Sequence, residues 1–171
     1  MHYYPIPSSR SKRLYGYDYG KAGAYFITIC TKNRYPFFGH IESGKLNSTT
    51  AAILTQNIWE QIPSQFPFVE LDEFVVMPDH IHGIIIIHEP QDPVESEQKT
   101  GGFAGHQNPM LHQNLSRIIR WYKGRCTFEI RKSDASFTWQ SNYHDHIIRD
   151  TEAYDRICQY IKDNPKNHTS N

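Results

Sequence analysis

The apolar positions of this chain follow two spacings, which separate strand-like from helix-like segments. Short apolar runs bounded by turn residues, such as AYFITICT at residues 24–31, predict buried strands. Apolar positions three and four residues apart, such as Leu115, Ile118 and Tyr122, predict an amphipathic helix. Strands are predicted at residues 24–31, 70–77 and 80–88 and within FTWQSNYHDHIIRD, with a short strand or hairpin around Ser43–Gly44.

Three helices are predicted between and after these strands. The first begins at Ser48 or Thr49, either of which can cap it, and runs through Pro63. The second covers residues 115–132. The third is capped by Asp150 or Thr151, continues to about Asp163 and is stopped by Pro165, because the residue before a proline avoids helical geometry.

The order of these elements indicates the fold class. Strand, helix, two strands, helix, strand, helix is typical of an α+β, ferredoxin-like (RRM-like) antiparallel sheet with helices packed on one face. The 171 residues suffice for a single domain spanning 1–171. Residues 89–113 are polar and lack periodicity, so we interpret them as an inserted loop.

Composition narrows the class of protein. The chain has no apolar run as long as a membrane span and no leader that resembles a signal peptide, so we expect no membrane partner. Its three cysteines, Cys30, Cys126 and Cys158, are widely separated and odd in number. This spacing argues against a disulfide framework or a cysteine zinc site and favours a reducing, cytoplasmic location.

The formal net charge is zero, but the charges are unevenly distributed. The segment EPQDPVESE holds four acidic residues and no basic one, which leaves surplus positive charge elsewhere. Two basic clusters are interleaved with aromatic residues, as single-stranded nucleic acid binding requires. A solvated basic face whose aromatic residues turn to the core explains the same composition. The candidate DNA-binding residues are Arg10, Lys12, Arg13, Arg117, Arg120 and Lys123.

A pair of histidines interrupts the most apolar segment, FVVMPDHIHGIIIIH. Residues i and i+2 of a strand share a face, so His80 and His82 project side by side and could provide two ligands of a divalent metal. Two surface histidines on an open sheet face are the alternative. A second pair, His144 and His146, would drive Asp145 into the core, which is costly, so the first pair is the better metal candidate.

The predicted last helix carries two tyrosines with different surroundings. Tyr154 lies on the apolar stripe with Ile161, which predicts a packing role. Tyr160 and Asn164 lie one turn apart at the edge of that stripe. A side chain at this edge can lean over the sheet, although an ordinary boundary tyrosine fits the same position.

Three motifs in order, MPDHIH, HDHIIRD and YIKDNP, together with the opening YFITICTKNRYPFFG, resemble the single-tyrosine HUH transposases. The resemblance spans roughly residues 25–168 and is greatest to the REP-associated branch, because many relatives in the wider family have glutamine where this chain has Asn164. It implies that His80, His82 and Asn164 bind Mg²⁺ or Mn²⁺, that Tyr160 on the C-terminal helix is the nucleophile, and that the fold is ferredoxin-like.

The implied activity is DNA transposition, in which single-stranded DNA beside a hairpin is cut and rejoined through a 5′-phosphotyrosine. His146 is a candidate base or a supporting partner of the metal site. The expected partner is hairpin-bearing single-stranded DNA, with a possible homodimer and no organic cofactor.

Two other functions fit parts of the same pattern. A catalytically silent relative would bind DNA hairpins with the same fold and basic surface. A small-molecule metallohydrolase would need a further carboxylate near the histidines. Asp79 adjoins His80 but lies at the predicted turn, and its side chain would point to the wrong face if the strand continued through it.

Overall fold

The computed structural model describes residues 22–88 and 114–167. Six strands, four α-helices and one short 3₁₀ helix (Lys32–Arg34) form in this part of the chain. The strands are β1 (Gly23–Cys30), β2 (Gly39–Glu42), β3 (Lys45–Ser48), β4 (Val69–Met77), β5 (His80–Ile87) and β6 (His144–Ile148). The helices are α1 (Thr50–Glu60), α2 (Ile62–Gln65), α3 (Leu115–Ile130) and α4 (Thr151–Asn167).

Four of the strands form one antiparallel sheet in the order β4-β5-β1-β6. This is the order of a ferredoxin-like split βαβ arrangement, so the predicted fold class is confirmed. Strands β2 and β3 form a separate hairpin, which is one of the two alternatives predicted for this segment. Its turn places Ser43 at φ 51° and Gly44 at φ 74°, the left-handed geometry that suits glycine.

Strand alternation gives the sheet two different faces. On one face Ile81 and Ile85 of β5 join the main core beneath α1, α2 and α3. On the other face Ile84 packs in a smaller cluster with Ile148 and with Ile161 of α4. The helices α1 to α3 therefore cover one face, as predicted, and α4 covers the opposite face.

The helix starts follow the predicted capping chemistry. Thr49 Oγ1 accepts a hydrogen bond from the Ala52 amide, and Asp150 Oδ1 accepts one from the Ala153 amide at 2.7 Å. The first predicted helix is divided, because α1 ends at Glu60 and α2 begins at Ile62 with Pro63 in its first turn.

The predicted end of the last helix is wrong. α4 continues through Pro165 to Asn167. Proline lacks an amide hydrogen, so Pro165 removes the hydrogen bond to the carbonyl of Ile161. Because Pro165 lies in the last turn, few further helical hydrogen bonds depend on it, and helical geometry persists to the end.

The structure also bears on the cysteines and on membrane association. All three cysteines are free thiols, and Cys30 and Cys126 are buried. Among residues 22–88 and 114–167, no helix combines the length and apolarity that a membrane span needs. The polar segment 89–113 lies outside the described residues, so its interpretation as an inserted loop remains a prediction.

One close contact in the main core depends on the absence of a side chain. A Cβ added at Gly83 of β5 would lie 2.5 Å from Cζ2 and 2.9 Å from Cη2 of Trp59. The indole has little room to retreat, because it stacks on Phe74 at 4.6 Å and meets the edge of Tyr122 at 5.2 Å.

We therefore expect Gly83→Ala to lower the free energy of unfolding by about 1–3 kcal/mol, the usual cost of overpacking. Gly124→Ala is the matched control, because Gly124 is exposed in α3 and an added Cβ meets nothing within 4 Å. That variant should gain about 0.5–1 kcal/mol, since alanine is the better helix former. Urea denaturation measures the free energy of unfolding of both variants. Equal changes in Gly83→Ala and Gly124→Ala would contradict the packing argument.

Candidate active site

His80 and His82 lie together beneath α4. They are 7% and 6% exposed, and their Nε2 atoms are 3.1 Å apart. The strand places both rings on the same face, as predicted from their spacing. The alternative of two surface histidines on an open face is wrong, because α4 covers this face of the sheet.

The opposite side of each ring has its own polar partner. His80 Nδ1 lies 2.6 Å from Asp79 Oδ1, and His82 Nδ1 lies 2.8 Å from Thr28 Oγ1. A carboxylate only accepts hydrogen bonds, so Nδ1 of His80 carries a hydrogen, and in the neutral form of the ring the lone pair is on Nε2. Such partners fix the orientation of metal-binding histidines.

The side chain of Asp79 does not point to the opposite face, as it would if the strand continued through this residue. Asp79 belongs to the turn that joins β4 to β5, so strand alternation does not govern its side chain. Its carboxylate turns back to His80 instead, 2.6 Å from Nδ1.

Burial, together with smaller effects of the neighbouring His80 and Arg34, lowers the pKa of His82 to about 3. The ring is therefore uncharged near neutral pH. An uncharged imidazole retains the nitrogen lone pair that a metal ligand needs.

Tyr160 completes the cluster from α4. Its hydroxyl lies 3.4 Å from His82 Nε2, and the tyrosine and histidine ring centroids are 5.4 Å apart. Phe26 stacks on His82 at 5.2 Å and meets the edge of Tyr160 at 6.0 Å, so it supports both rings. Tyr160 is 51% exposed, which leaves it accessible to a large substrate. All these residues come from one chain.

Asn164 follows Tyr160 by one helical turn and is half-buried. Residues four apart on a helix lie on the same side, so Asn164 lies next to Tyr160 along α4. Among the histidine, cysteine, aspartate and glutamate residues in the described part of the chain, no group of three could hold a metal. A third protein ligand here would therefore be of another type, such as an amide oxygen.

The histidine pair fits a divalent metal ion. Two ligand atoms, each about 2.1 Å from an octahedral ion, lie about 3.0 Å apart, close to the observed separation of 3.1 Å between the Nε2 atoms. The partner of each Nδ1 atom directs both Nε2 atoms to one point. Two imidazoles and an amide also leave coordination positions for substrate and water.

Two polar contacts hold α4 against the edge strand β4. The Tyr154 hydroxyl donates a hydrogen bond to Asp72, and Lys162 Nζ lies 2.8 Å from Glu73 Oε1. Tyr154 also packs against the smaller core, as predicted. Burial and the bond to Asp72 raise the pKa of the Tyr154 hydroxyl, so this tyrosine is a poor candidate for the nucleophile.

His144 and His146 lie on the same face of the sheet as His82. The register pairs Thr28 with both His82 and His144, and it pairs Phe26 with His146. His146 is exposed and lies two strands, about 10 Å, from β5. Among the hydrogen bonds of the described residues, none joins His146 to Tyr160 or to the pair, so its role remains a prediction.

The candidate DNA-binding residues do not converge on the histidine pair. Arg117 and Arg120 are exposed on α3, which covers the opposite face of the sheet. Lys123 is half-buried, its Nζ donates hydrogen bonds to the carbonyls of Gln140 and Ser141 at 2.6 and 3.1 Å, and burial lowers its pKa. The first cluster, Arg10, Lys12 and Arg13, lies outside the described residues.

Sequence reasoning missed two residues around the pair, Thr28 and Arg34, and it considered Asp79 without assigning it a role at the pair. The register of β1 on β5 could have suggested Thr28, because it lies directly opposite His82. Arg34 reaches Asp79 from a turn, and no periodic pattern in the sequence signals that contact.

Comparison of the sequence with known proteins gives two relatives in Haemophilus influenzae. An uncharacterized protein is 40% identical over 162 residues, covering 94% of this chain and 89% of the relative. A candidate REP-associated tyrosine transposase is 26% identical over 160 residues, covering 90% of this chain and 76% of the relative. No family model matches the chain.

Two solved structures share the fold. The structure of a REP-associated tyrosine transposase bound to a REP hairpin has a TM-score of 0.60 and 22% identity, covering 93% of this chain and 73% of that one. The crystal structure of a candidate transposase from Deinococcus radiodurans R1 has a TM-score of 0.50 and 18% identity, covering 93% of this chain and 99% of that one.

The depressed pKa of His82 predicts a pH-dependent stability of the metal-free protein. Between about pH 3 and pH 6.5 the unfolded ring takes up a proton that the folded ring does not. The free energy of unfolding should therefore fall as the pH falls from 6.5, by at most about 1.4 kcal/mol per pH unit from this residue.

Urea denaturation in the presence of a chelator, repeated from pH 7.5 to 4.5, measures this dependence. His82→Asn should reduce the slope of the free energy of unfolding against pH, by an amount that corresponds to at most one proton. His40→Asn, which changes an exposed histidine on β2, is the control and should keep the slope of the unsubstituted protein. A slope that His82→Asn leaves unchanged would show that the dependence has another source.

Proposed function

Since the chain belongs to the REP-associated tyrosine transposase family, as its motifs suggested, we propose that it cuts and rejoins single-stranded DNA through Tyr160. The observation that carries this proposal is the hydroxyl of Tyr160, 3.4 Å from His82 Nε2 and beside a buried histidine pair. A nucleophile next to a prospective metal site is the arrangement that phosphodiester cleavage requires.

The proposed substrate is single-stranded DNA that contains a hairpin. One structural relative was solved with a REP hairpin bound, and this chain shares its fold. The target sequence would be read by surfaces beyond the histidine pair, since imidazoles and a tyrosine contact the phosphate rather than the bases.

His80, His82 and Asn164 are the proposed ligands of Mg²⁺ or Mn²⁺. A bound divalent ion would neutralise a non-bridging phosphate oxygen and make the phosphorus more electrophilic. The burial of the pair keeps His82 uncharged, and Asp79 and Thr28 keep the two rings aligned.

In the proposed cleavage step the Tyr160 oxygen attacks the scissile phosphorus. The bond between that oxygen and phosphorus forms, and the bond between phosphorus and the 3′ oxygen breaks. The phenolic proton is lost, with His146 the proposed acceptor, and the departing 3′ oxygen gains a proton. The products are a 5′-phosphotyrosine and a free 3′-hydroxyl.

Rejoining is the same step in reverse. A 3′-hydroxyl attacks the phosphotyrosine, and Tyr160 leaves as the phenol. The covalent intermediate retains the reactivity of the original phosphodiester, so strand joining needs no nucleotide cofactor.

We place DNA binding on the exposed side of α3. Four of its residues are basic and one is acidic. Arg117 and Arg120 line a shallow groove with Trp121 and with Phe128, whose side chain is 61% exposed. Guanidinium groups suit phosphates, and an exposed aromatic ring can stack on a base. Arg10, Lys12 and Arg13 are the proposed second group of contacts.

Tyr160→Phe should abolish the covalent protein–DNA adduct, because phenylalanine has no oxygen to attack phosphorus. Tyr154→Phe, on the same helix, is the matched control and should still form it. The adduct is detected on denaturing gels with Mn²⁺ and a hairpin oligonucleotide labelled at its 3′ end, the fragment that stays attached to the protein.

Several outcomes of that assay discriminate between functions. An adduct with Tyr160→Phe would refute the assignment of the nucleophile. Hairpin binding without any adduct from the unsubstituted protein would favour a catalytically silent binding protein. His146→Gln added to the series should slow adduct formation about 100-fold if His146 is the base.

Arg117→Gln and Arg120→Gln should each weaken binding of hairpin DNA and reduce the slope of log affinity against log salt by about one, the effect of one lost phosphate contact. Lys45→Gln, an exposed charge on β3, is the control and should leave the slope unchanged. Fluorescence anisotropy at several salt concentrations measures these slopes. If the salt slopes of Arg117→Gln, Arg120→Gln and Lys45→Gln are the same, the proposed surface on α3 is incorrect.

A further inference from the structure

The turn after β1 is held in an unusual backbone conformation. Asn33 and Arg34 have φ angles of 55° and 57°, both in the left-handed region. Asparagine tolerates this region, but arginine does so only at a cost of about 1–2 kcal/mol. Such strain persists where surrounding contacts enforce it, and these contacts often belong to functional sites.

The contacts that hold Arg34 all lead toward the histidine pair. Its Nε lies 2.7 Å from Asp79 Oδ2, and its Nη1 donates a hydrogen bond to Cys30 Sγ at 2.9 Å. Its Nη2 also lies 3.4 Å from His80 Nδ1, but this approach is not a hydrogen bond, because that nitrogen carries the hydrogen bound by Asp79. The guanidinium is thus placed between the end of β1 and the start of β5.

Asp79 divides its two carboxylate oxygens between two partners. Oδ2 faces Arg34, and Oδ1 lies 2.6 Å from His80 Nδ1. The backbone of Asp79 is also fixed, because its carbonyl accepts hydrogen bonds from the amide and the hydroxyl of Thr31, both at 2.9 Å. Thr31 is fully buried, so the turn that carries Asp79 has little freedom.

We propose that Arg34 and Asp79 are positioning residues, which set the tautomer and orientation of the His80 ring and thereby the affinity of the pair for a divalent cation. Asp79 accepts the Nδ1 hydrogen, which leaves the lone pair of Nε2 directed at His82. Arg34 keeps the carboxylate in that orientation by binding its other oxygen. The inference rests on the metal site of the proposed function.

The two histidines have different hydrogen-bond partners, so the inference predicts that removing each partner has a different effect on metal binding. The partner of His80 is the Asp79 carboxylate, which only accepts hydrogen bonds. The partner of His82 is the Thr28 hydroxyl, which can donate or accept a hydrogen bond. The tautomer of His80 is therefore fixed by its partner, and that of His82 is free to adapt. Loss of Asp79 should affect metal binding more than Thr28→Val does.

The test uses the full chain without DNA, so that it does not depend on cleavage. Titration calorimetry measures the affinity for Mn²⁺, and long-range ¹H–¹⁵N spectra of the metal-free protein report which ring nitrogen of His80 carries the hydrogen. The unsubstituted protein should bind Mn²⁺ and show His80 protonated on Nδ1.

Asp79→Asn should weaken Mn²⁺ binding about 10- to 100-fold, the usual effect of losing such a partner. The amide that replaces the carboxylate can donate to Nδ1, so the hydrogen of His80 should move to Nε2. Arg34→Gln should lower the affinity about 10-fold. Arg34→Lys should recover part of the loss, because it keeps the charge but not the paired donors of the guanidinium.

Arg34→Gly separates positioning from folding. Glycine adopts a φ angle of 57° without strain, so the folded state should not be destabilised by the backbone of this variant. Its Mn²⁺ affinity should nevertheless fall as in Arg34→Gln. Arg125→Gln is the matched control, since Arg125 also pairs with a carboxylate, Glu129 at 3.0 Å, but on α3.

Each result decides the question. Mn²⁺ affinities within twofold of the unsubstituted protein in both Asp79→Asn and Arg34→Gly, or an unchanged His80 tautomer in Asp79→Asn, would overturn the inference. Absence of Mn²⁺ binding by the unsubstituted protein would overturn it as well. If the protein binds Mn²⁺ with the expected tautomer but never cuts DNA, the proposed function fails and this inference stands.

Discussion

His80 and His82 face each other with 3.1 Å between their Nε2 atoms, in a space closed to water on most sides. Two nitrogen lone pairs at this distance repel unless a hydrogen or a cation lies between them. Burial disfavours the charged form of His82, so this ring does not take up a proton near neutral pH. The rest of the site follows from this constraint, because every neighbouring group either holds the rings in place or approaches the point that they share.

The division of the sheet into two faces allows the fold to accommodate such a buried polar pair. The main core lies between the sheet and α1 to α3, and it contains most of the buried apolar residues. Among the described residues, the other face has the smaller cluster around Ile84 and Ile161, where polar side chains can be tolerated. α4 is held over this face by that cluster and by the pairs of Tyr154 with Asp72 and Lys162 with Glu73. The helix that carries Tyr160 is thus attached mainly at its contact with the edge strand β4.

The position of Asp79 also separates the candidate chemistries. A hydrolytic metal site would need a carboxylate on the Nε2 side of the pair, and the oxygens of Asp79 are engaged by His80 Nδ1 and Arg34. Elsewhere in the described residues no third histidine, cysteine or carboxylate joins the pair. The group that does approach His82 Nε2 is the hydroxyl of Tyr160, which suits nucleophilic attack on a phosphate better than activation of water.

The sequence by itself determined the features that depend on local geometry. Strand alternation put His80 and His82 on one face, and the helical period put Asn164 one turn from Tyr160. Only the tertiary structure decided that α4 covers the histidine face, that it continues through Pro165, and that Arg34 reaches Asp79. The reason is physical. Period and alternation are set by the backbone within a few residues, whereas the face that a helix covers and the contacts of a left-handed turn depend on residues far apart in the chain.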